Sequence, residues 1–331
     1  MTLRGIVLTL LILALSACAP RIHAPGPAIA DTRLTNNAII TPDGATLPLR
    51  QWLPASGEPR AIILALHGFN DYSNFFDDPG QFLASRYQIA SYAYDQRGFG
   101  NAPHTGRWAG VQAYGNDAKE AIRVIKIRHP GLPIYLLGES MGGAVAMVAM
   151  TSDTPPEVDG TILAAPAVWG RVTMPWYQRL ALWVGANTVP WMTVTGKGLN
   201  IKPSDNIEML IELGRDPLVI KETRIGTIYG LANLMDAGFE SAPHFGSPAL
   251  ILYGERDEVV PKKPTVTMLK NLPQGLEDKQ KVALYEGGYH MLLRDIPAAT
   301  VWKDIAAWIK DPSKPLPSGA DHRSLSVLTE R

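Results

Sequence analysis

The sequence contains one cysteine, Cys18, among its 331 residues. A single thiol cannot form a disulfide within the chain, and it cannot build a cysteine-based metal site. Lysine and arginine number 31, as do aspartate and glutamate, so the formal net charge is zero. This balance offers no basic excess to attract nucleic acid, and we expect no nucleic-acid partner.

The sequence also lacks the patterns that bind nucleotides and metals. It has no glycine-lysine phosphate loop, and its glycine-rich stretch at residues 138–143 is too short for a dinucleotide loop. Histidines and carboxylates do not cluster at the spacing of metal ligands. We therefore expect neither a cofactor nor a metal.

The N-terminal apolar run is too short to cross a bilayer as a mature helix. Residues 5–15 are about eleven residues long, where a spanning helix needs about twenty. With Arg4 before it, the run is typical of a signal peptide. It ends in Leu15-Ser16-Ala17-Cys18, which resembles a bacterial lipobox. An ordinary secretory signal with an incidental cysteine is the alternative.

The lipobox resemblance implies a lipid anchor. We expect residues 1–18 to be a lipoprotein signal ending at Cys18, whose thiol carries a diacylglycerol that holds the protein at the membrane. Since Ala19 rather than aspartate follows, analogy with enteric bacteria favours the outer membrane, facing the periplasm. The predicted location is therefore the bacterial cell envelope.

Residues 38–310 have the pattern of one folded domain. Short apolar runs alternate with helical patterns, and Ala61–Leu66 is continuously apolar, as expected of a parallel strand buried on both faces. The alternation predicts an α/β domain with a mostly parallel sheet between helices. Residues 169–245 carry helical patterns without a strong strand, which predicts a helical cap over the carboxyl edge of the sheet. The proline-containing segments 19–37 and 311–331 predict a tether and a poorly ordered tail.

A serine at a strand-to-helix junction is the central chemical motif. Gly138-Glu139-Ser140-Met141-Gly142-Gly143 follows the apolar run 134–137 and precedes the helical run 144–150. A nucleophilic serine on so sharp a turn needs glycines beside it, because neighbouring backbone leaves no room for a Cβ. A structural serine in a glycine-rich turn is the alternative. The strand before it and the helix after it favour Ser140 as the nucleophile.

A serine hydroxyl becomes a good nucleophile only when a base takes its proton, so a histidine must be available. In folds with this turn, the acid and then the base follow the serine along the chain. Among the downstream histidines, His322 lies in the tail and His244 precedes a predicted strand, whereas His290 follows one. We predict that His290 is the general base.

The acid is expected on the loop after the preceding strand, where Asp257 stands. Its carboxylate would fix the tautomer of His290 and stabilise the imidazolium. Glu255, Glu258 and Asp295 are the rivals. A helix cap is the structural alternative for Asp257, and it is compatible with a catalytic role.

The oxyanion formed on attack needs two N–H donors already in place. The backbone N–H of Met141 supplies one at the start of a helix, aided by the helix dipole. The second is expected from the loop His67-Gly68-Phe69, and we predict the backbone N–H of Phe69. We interpret His67 itself as a structural residue that holds this loop.

Five sequence blocks occur in the order in which a known family carries them: LHGFNDYS, YDQRGFG, LGESMGGA, LYGERDEVVP and YEGGYHMLL. Over residues 38–309 the chain resembles the monoacylglycerol lipase and lysophospholipase branch of the α/β hydrolases, also called serine aminopeptidase-like hydrolases. The resemblance implies an α/β-hydrolase fold and ester hydrolysis through an acyl-enzyme. Two positions depart from the family: Glu139 stands where many members have histidine, and Asp71-Tyr72-Ser73 stands where His-Ser is common.

The predicted cap is rich in large apolar residues, including Trp176, Trp183 and Trp191. We interpret these tryptophans as contacts for an acyl chain or as a membrane-facing surface, although packing on the core is the alternative. The hypothesis is an ester hydrolase for lipids with one acyl chain, such as a monoacylglycerol or lysophospholipid. A small-ester esterase or acyltransferase with the same residues, and a non-catalytic lipoprotein that binds lipid, are the alternatives.

Overall fold

The computed structural model describes residue 20, residues 22–276 and residues 278–329. The predicted signal peptide and Cys18 lie outside the described residues. The strands are β1 (Arg33–Leu34), β2 (Ala38–Ile40), β3 (Thr46–Trp52), β4 (Ala61–Leu66), β5 (Ile89–Tyr94), β6 (Ile134–Glu139), β7 (Gly160–Ala164), β8 (Thr193–Val194), β9 (Thr223–Arg224), β10 (Ala249–Gly254) and β11 (Gln280–Tyr285). The α-helices are α1 (Asp77–Tyr87), α2 (Val111–Arg128), α3 (Met141–Met150), α4 (Trp176–Thr188), α5 (Ile207–Arg215), α6 (Ile225–Ser241), α7 (Lys262–Lys270) and α8 (Ala298–Lys310).

Nine of these strands form one sheet in the order β1-β2-β3-β5-β4-β6-β7-β10-β11. The six strands β5, β4, β6, β7, β10 and β11 are parallel to one another, and β1, β2 and β3 form an antiparallel edge that joins the parallel part where β3 pairs with β5. The chain runs from β4 to β5 on one side and then returns to β6 on the other side of β4. A crevice opens at such a switch point, outside the carboxyl ends of the strands. The loops after β4 and β6 therefore border the same crevice.

Alternate side chains of β4 show that the sheet is buried on both faces. Ile62, Leu64 and Leu66 pack on one face against residues of α2 and α3. Ile63 and Ala65 pack on the other face against residues of α1 and α8. Because both faces are covered, the strand is apolar at every position, as the sequence predicts.

Residues 169–245 form the cap, which is mainly helical, as the sequence predicts. It contains α4, α5 and α6, and its only described strands are the two-residue pair β8 and β9. Gly238 of α6 lies against α3, where a Cβ on this glycine would be 3.1 Å from the Cβ of Ala144. The cap is thus seated directly on the helix that follows Ser140.

Both end segments differ from the predicted tether and disordered tail. In the N-terminal segment, β1 pairs with β2, and the backbone N–H of His23 donates to the carbonyl of Trp108 at 2.8 Å. In the C-terminal segment, Leu316 and Leu328 are buried, and Arg323 pairs with Glu255 at 2.6 Å. The proline-rich composition predicted disorder, but scattered apolar side chains such as Leu316 and Leu328 pack against the folded domain. No helix among the described residues is long and apolar enough to cross a membrane.

Candidate active site

Ser140 lies at the turn between β6 and α3, with a backbone φ of 53° that few residues other than glycine adopt. Two glycines make this turn possible. A Cβ on Gly142 would lie 2.1 Å from the carbonyl oxygen of Leu66, and one on Gly138 would lie 2.2 Å from the carbonyl oxygen of Gly142. The turn therefore presses against β4 and presents Ser140 at the crevice, as predicted for a nucleophile.

Asp257 and His290 meet beside this turn. Nδ1 of His290 lies 2.8 Å from Oδ2 of Asp257, and both residues are buried. The other carboxylate oxygen of Asp257 accepts hydrogen bonds from the backbone N–H groups of Val259 and Val260 at 2.8 and 2.9 Å. Asp257 thus holds its own loop and the ring of His290 together. It does not cap the following helix, because α7 begins after Pro261 without a side-chain cap.

The rival acids have other partners. Asp295 accepts from the hydroxyl of Ser204 at 2.6 Å and from the backbone N–H of Tyr289 at 2.8 Å. Glu255 pairs with Arg323, and Glu258 accepts from the backbone N–H of Lys202 at 2.8 Å. Asp295 nevertheless contributes, because it holds the backbone immediately before His290.

The pKa of His290 lies above its ordinary value. Burial alone lowers it, because a buried imidazolium loses its hydration. The charge and hydrogen bond of Asp257 offset burial, and the carboxylate of Glu139 adds to their effect. A histidine in this environment readily accepts a proton from a neighbouring hydroxyl.

The predicted oxyanion donors border the same crevice from two sides. Met141 is the first residue of α3 and is buried, and Phe69 follows β4 and lines the cavity at Ser140. His67 holds the Phe69 loop: Nδ1 donates to the carbonyl of Gly68 at 2.8 Å, and Nε2 accepts from the backbone N–H of Gln96 at 3.0 Å. Burial lowers the pKa of His67, which is consistent with a neutral, structural ring.

A buried cluster of charges lies next to Ser140. Arg294 donates to Asp71 at 2.7 Å and to Glu139 at 3.1 Å, and each side chain is 8% exposed or less. Burial raises the pKa of Glu139, while the charge of Arg294 opposes this rise. Glu139 and Asp71 were noted in the sequence as departures from the family, but Arg294 was missed. Its only sequence signal is its position four residues after His290.

Ser140 and His290 line a cavity of about 450 Å³ between the sheet edge and the cap. One end is polar, where Ser140, Glu139, His290 and Arg294 converge. The rest is apolar and is formed by core and cap side chains: Ala167, Trp169, Met174, Leu182, Ile201, Pro203, Ile228, Leu231, Ala232, Met235, Val259, Val260 and Met291.

The three tryptophans predicted to contact an acyl chain or a membrane do not line this cavity. Trp176, Trp183 and Trp191 are 72%, 55% and 55% exposed. Trp176 and Trp183 are seven residues apart on α4, which places them on one outer stripe of the helix. Leu182 lies on the inner side and reaches the cavity instead.

Comparison with known proteins gives consistent matches. The sequence pattern of a family described as "Serine aminopeptidase, S33" matches residues 57–297. The monoglyceride lipase of Rattus norvegicus is 26% identical over 82% of this chain and 89% of that protein. Phospholipase YtpA of Bacillus subtilis is 23% identical over 78% of this chain and 98% of that protein. A soluble variant of the Saccharomyces cerevisiae monoglyceride lipase, solved with a substrate analog, superposes with a TM-score of 0.68 at 20% identity, covering 89% and 99% of the two chains.

Proposed function

Because the chain belongs to the serine aminopeptidase S33 family of α/β hydrolases and is a serine hydrolase of carboxylic esters, we propose that its substrates carry one medium or long acyl chain. Monoacylglycerols and lysophospholipids are the substrate classes that fit. The observation that carries this proposal is the cavity, whose polar lining residues are Ser140, His290 and the Arg294 cluster, and whose other side chains are apolar. Its volume of about 450 Å³ lies in the range usual for small-molecule sites.

The proposed roles of these residues define the reaction. Oγ of Ser140 attacks the ester carbonyl carbon while Nε2 of His290 takes its proton, and Asp257 stabilises the imidazolium through Nδ1. The backbone N–H groups of Phe69 and Met141 hold the oxyanion. His290 passes the proton to the departing alcohol, then deprotonates the water that releases the fatty acid and restores Ser140.

The outer surface of the cap supports action at a membrane. Its large apolar side chains are exposed along α4 and the chain that follows: Trp176, Tyr177, Leu180, Trp183, Val184, Trp191, Met192, Val194, Leu199 and Ile201. An exposed apolar area of this kind marks a contact with a lipid surface or a partner. In our proposal this area rests on the bilayer and admits a single-chain lipid to the cavity beneath.

The lipid anchor at Cys18 completes the proposal and places the enzyme in the bacterial cell envelope, on the outer membrane facing the periplasm. Growth of cells with an alkyne-tagged fatty acid tests the anchor. Label on the wild-type protein that is lost in Cys18→Ser supports it. Equal label in both, or no label in either while the protein is exported, overturns the anchor without affecting the esterase assignment.

A fluorophosphonate probe tests the catalytic assignment without knowledge of the substrate, because it reacts with activated serines. The purified protein and Ser140→Ala are treated in detergent, and the adduct is located by mass spectrometry. A single adduct on Ser140, absent from the variant, is expected. Absence of labelling in folded protein would support a non-catalytic lipid-binding lipoprotein.

A series of acyl chains then tests the substrate class. We expect octanoyl to palmitoyl esters and monoacylglycerols to be cleaved with higher kcat/KM than acetyl esters, because only long chains fill the apolar end of the cavity. The reverse order would assign the protein as a small-ester esterase. Transfer of the acyl group to an added alcohol in preference to water would assign it as an acyltransferase.

A further inference from the structure

The loop that carries His290 has little rigidity of its own. It follows β11 across residues 286–289, which include two adjacent glycines, and Gly287 has a backbone φ of 75° in the left-handed region. Asp257 holds the imidazole ring, but the backbone beside the ring must also be fixed. A shift of about 1 Å in a catalytic group can cost about 100-fold in rate. The partners of this backbone therefore matter for the chemistry.

Two backbone N–H groups flank His290, and each has a defined partner. The N–H of Met291 donates to the carbonyl of Pro203 at 3.0 Å. The N–H of Tyr289 donates to Oδ2 of Asp295 at 2.8 Å. Pro203 belongs to the cap, so the cap holds the backbone directly after the histidine.

Ser204 extends this hold to the backbone before the histidine. Its hydroxyl donates to Oδ1 of Asp295 at 2.6 Å and accepts from the backbone N–H of Asn206 at 3.1 Å. Ser204 has no exposed surface and Asp295 is 4% exposed, so water does not compete for this hydrogen bond. Pro203 and Ser204 lie in residues 202–206, the part of the cap before α5, which we call the bridging segment.

Asp295 depends on such donors because it is a buried carboxylate without a cation. It forms no ion pair with another described residue. Burial raises its pKa, and the hydrogen bonds from Ser204 and from the backbone N–H of Tyr289 oppose that rise. A hydrogen bond to a charged acceptor is stronger than one between neutral groups. Loss of the Ser204 hydroxyl therefore weakens the hold of Asp295 on Tyr289.

Three further hydrogen bonds fasten the bridging segment to the loops that carry Asp257 and His290. They join Nδ2 of Asn206 to the carbonyl of Arg294 at 3.0 Å, Oδ1 of Asp205 to the N–H of Ile296 at 2.8 Å, and the N–H of Lys202 to Glu258 at 2.8 Å. The bridging segment thus contacts the loops of both the acid and the base, and it is the part of the cap from which their relative position can be set.

We propose that Ser204 is a positioning residue for the general base: through Asp295, its hydroxyl fixes the backbone that places His290 beside Ser140. The cap then completes the catalytic centre as well as covering it. This inference rests on the catalytic role proposed for His290. A serine that only anchored the cap would affect stability without slowing the chemical step.

The test compares two alanine variants that each remove a buried serine hydroxyl from the cap. Ser204→Ala breaks the hydrogen bond to Asp295, whereas the control, Ser241→Ala, breaks one of 2.9 Å to Thr151, which follows α3 at the end away from Ser140. Ser204→Cys is nearly isosteric with the wild type and offers only a weak S–H donor.

The full chain is used, and thermal unfolding checks that each variant is folded. The substrate is a soluble butyryl ester, whose short chain makes little use of the cap. The rate of reaction with the fluorophosphonate probe measures the reactivity of Ser140 independently of this substrate.

We expect kcat of Ser204→Ala to fall about tenfold or more while KM stays within about twofold of wild type, because a displaced base slows the chemical step without weakening substrate binding. The rate of probe labelling falls by a similar factor, and Ser241→Ala keeps the wild-type kcat. Ser204→Cys lies between Ser204→Ala and wild type, and it decides the question if the alanine variant does not fold. An unchanged kcat, an equal fall in Ser241→Ala, or a loss confined to KM overturns the inference.

A double variant tests the route through Asp295. Asp295→Asn removes the charge that the hydroxyl of Ser204 binds. If the two residues act together, Ser204→Ala lowers kcat by a smaller factor in the Asp295→Asn variant than in wild type. An equal factor in both contradicts this route.

Failure of this inference is distinguishable from failure of the proposed function. Folded wild-type protein that does not react with the probe overturns the proposed catalytic roles themselves. Wild-type protein that reacts, together with Ser204→Ala protein that reacts equally fast, overturns only the positioning role of Ser204.

Discussion

Nδ1 of His290 and Oδ2 of Asp257 lie 2.8 Å apart, although 33 positions separate the two residues in the chain. They meet because β10 and β11 are parallel neighbours whose loops leave the same edge of the sheet. Gly254 allows the close approach, since a Cβ there would lie 2.4 Å from the carbonyl oxygens of Gly288 and Tyr289. The pair makes activity depend on pH in a defined direction.

Asp257→Asn should lower activity and move its dependence on pH. Activity requires neutral His290, so in wild type it falls as pH drops through a pKa that lies above the ordinary value of 6.5. Loss of the carboxylate destabilises the imidazolium, so the acidic limb moves to lower pH. The value of kcat falls about 10⁴-fold, because the asparagine amide no longer fixes the tautomer that leaves Nε2 free to accept the proton of Ser140. The measurement is kcat/KM against pH with an octanoyl ester. An acidic limb at the wild-type position would remove Asp257 from this role.

Gly142→Ala should destabilise the protein and abolish activity. The new Cβ would meet the carbonyl oxygen of Leu66 at 2.1 Å, and neither β4 nor the turn at Ser140 can move without opening the crevice. We expect a loss of about 3 kcal/mol in the free energy of unfolding, measured in urea. Gly214→Ala in α5 is the control, because nothing lies within 4 Å of its Cβ position. Equal stability of the two variants would contradict the tight packing of the turn.

Arg294→Met should leave Asp71 and Glu139 as unpaired buried carboxylates. Removal of one partner from a buried ion pair costs about 3 kcal/mol or more near neutral pH. Burial already raises the pKa of Glu139, and the charge of Arg294 opposes this rise. Without the guanidinium, the pKa of Glu139 rises further, so the folded protein binds its proton more tightly than the unfolded chain does. The difference in the free energy of unfolding between wild type and the variant should therefore shrink as pH falls. Urea unfolding at neutral and acidic pH measures this difference.

Addition of Asp71→Asn and Glu139→Gln to the Arg294→Met variant provides the matched test. Neutral side chains remove the uncompensated charge, so part of the lost stability should return. If the triple variant is less stable than Arg294→Met alone, packing rather than charge explains the loss.

Trp176→Ser/Trp183→Ser should weaken membrane binding. Both rings project from the outer stripe of α4, and their transfer into lipid contributes through their apolar area. With protein lacking residues 1–18, we expect partition into phosphatidylcholine vesicles to fall about tenfold or more, measured by sedimentation. The control is Leu53→Ser/Ile127→Ser, which removes two exposed apolar side chains outside the cap. Equal loss in both double variants would mean that the cap is not the contact surface.

The candidate catalytic residues and their order along the chain could be predicted from local sequence patterns. A continuously apolar strand such as Ala61–Leu66 predicts a sheet covered on both faces, and glycines around Ser140 predict a turn with no room for a Cβ. Because loops after parallel strands share one edge, Asp257 and His290 could be predicted to meet. The fold class and the ester hydrolase activity are confirmed by the family match, while the individual catalytic roles stay predictions.

Only the tertiary structure decided which distant side chains touch. Arg294 forms ion pairs with Asp71 and Glu139, which are 223 and 155 positions away in the chain. No sequence pattern around this arginine predicts those partners. In the cap, the composition of α4 shows that it is apolar, but the sequence does not say which stripe faces inward. The helix turns Leu182 into the cavity and leaves Trp176 outside. Local periodicity determines the elements, whereas the face that each element buries and the partner of that face depend on how the whole chain packs.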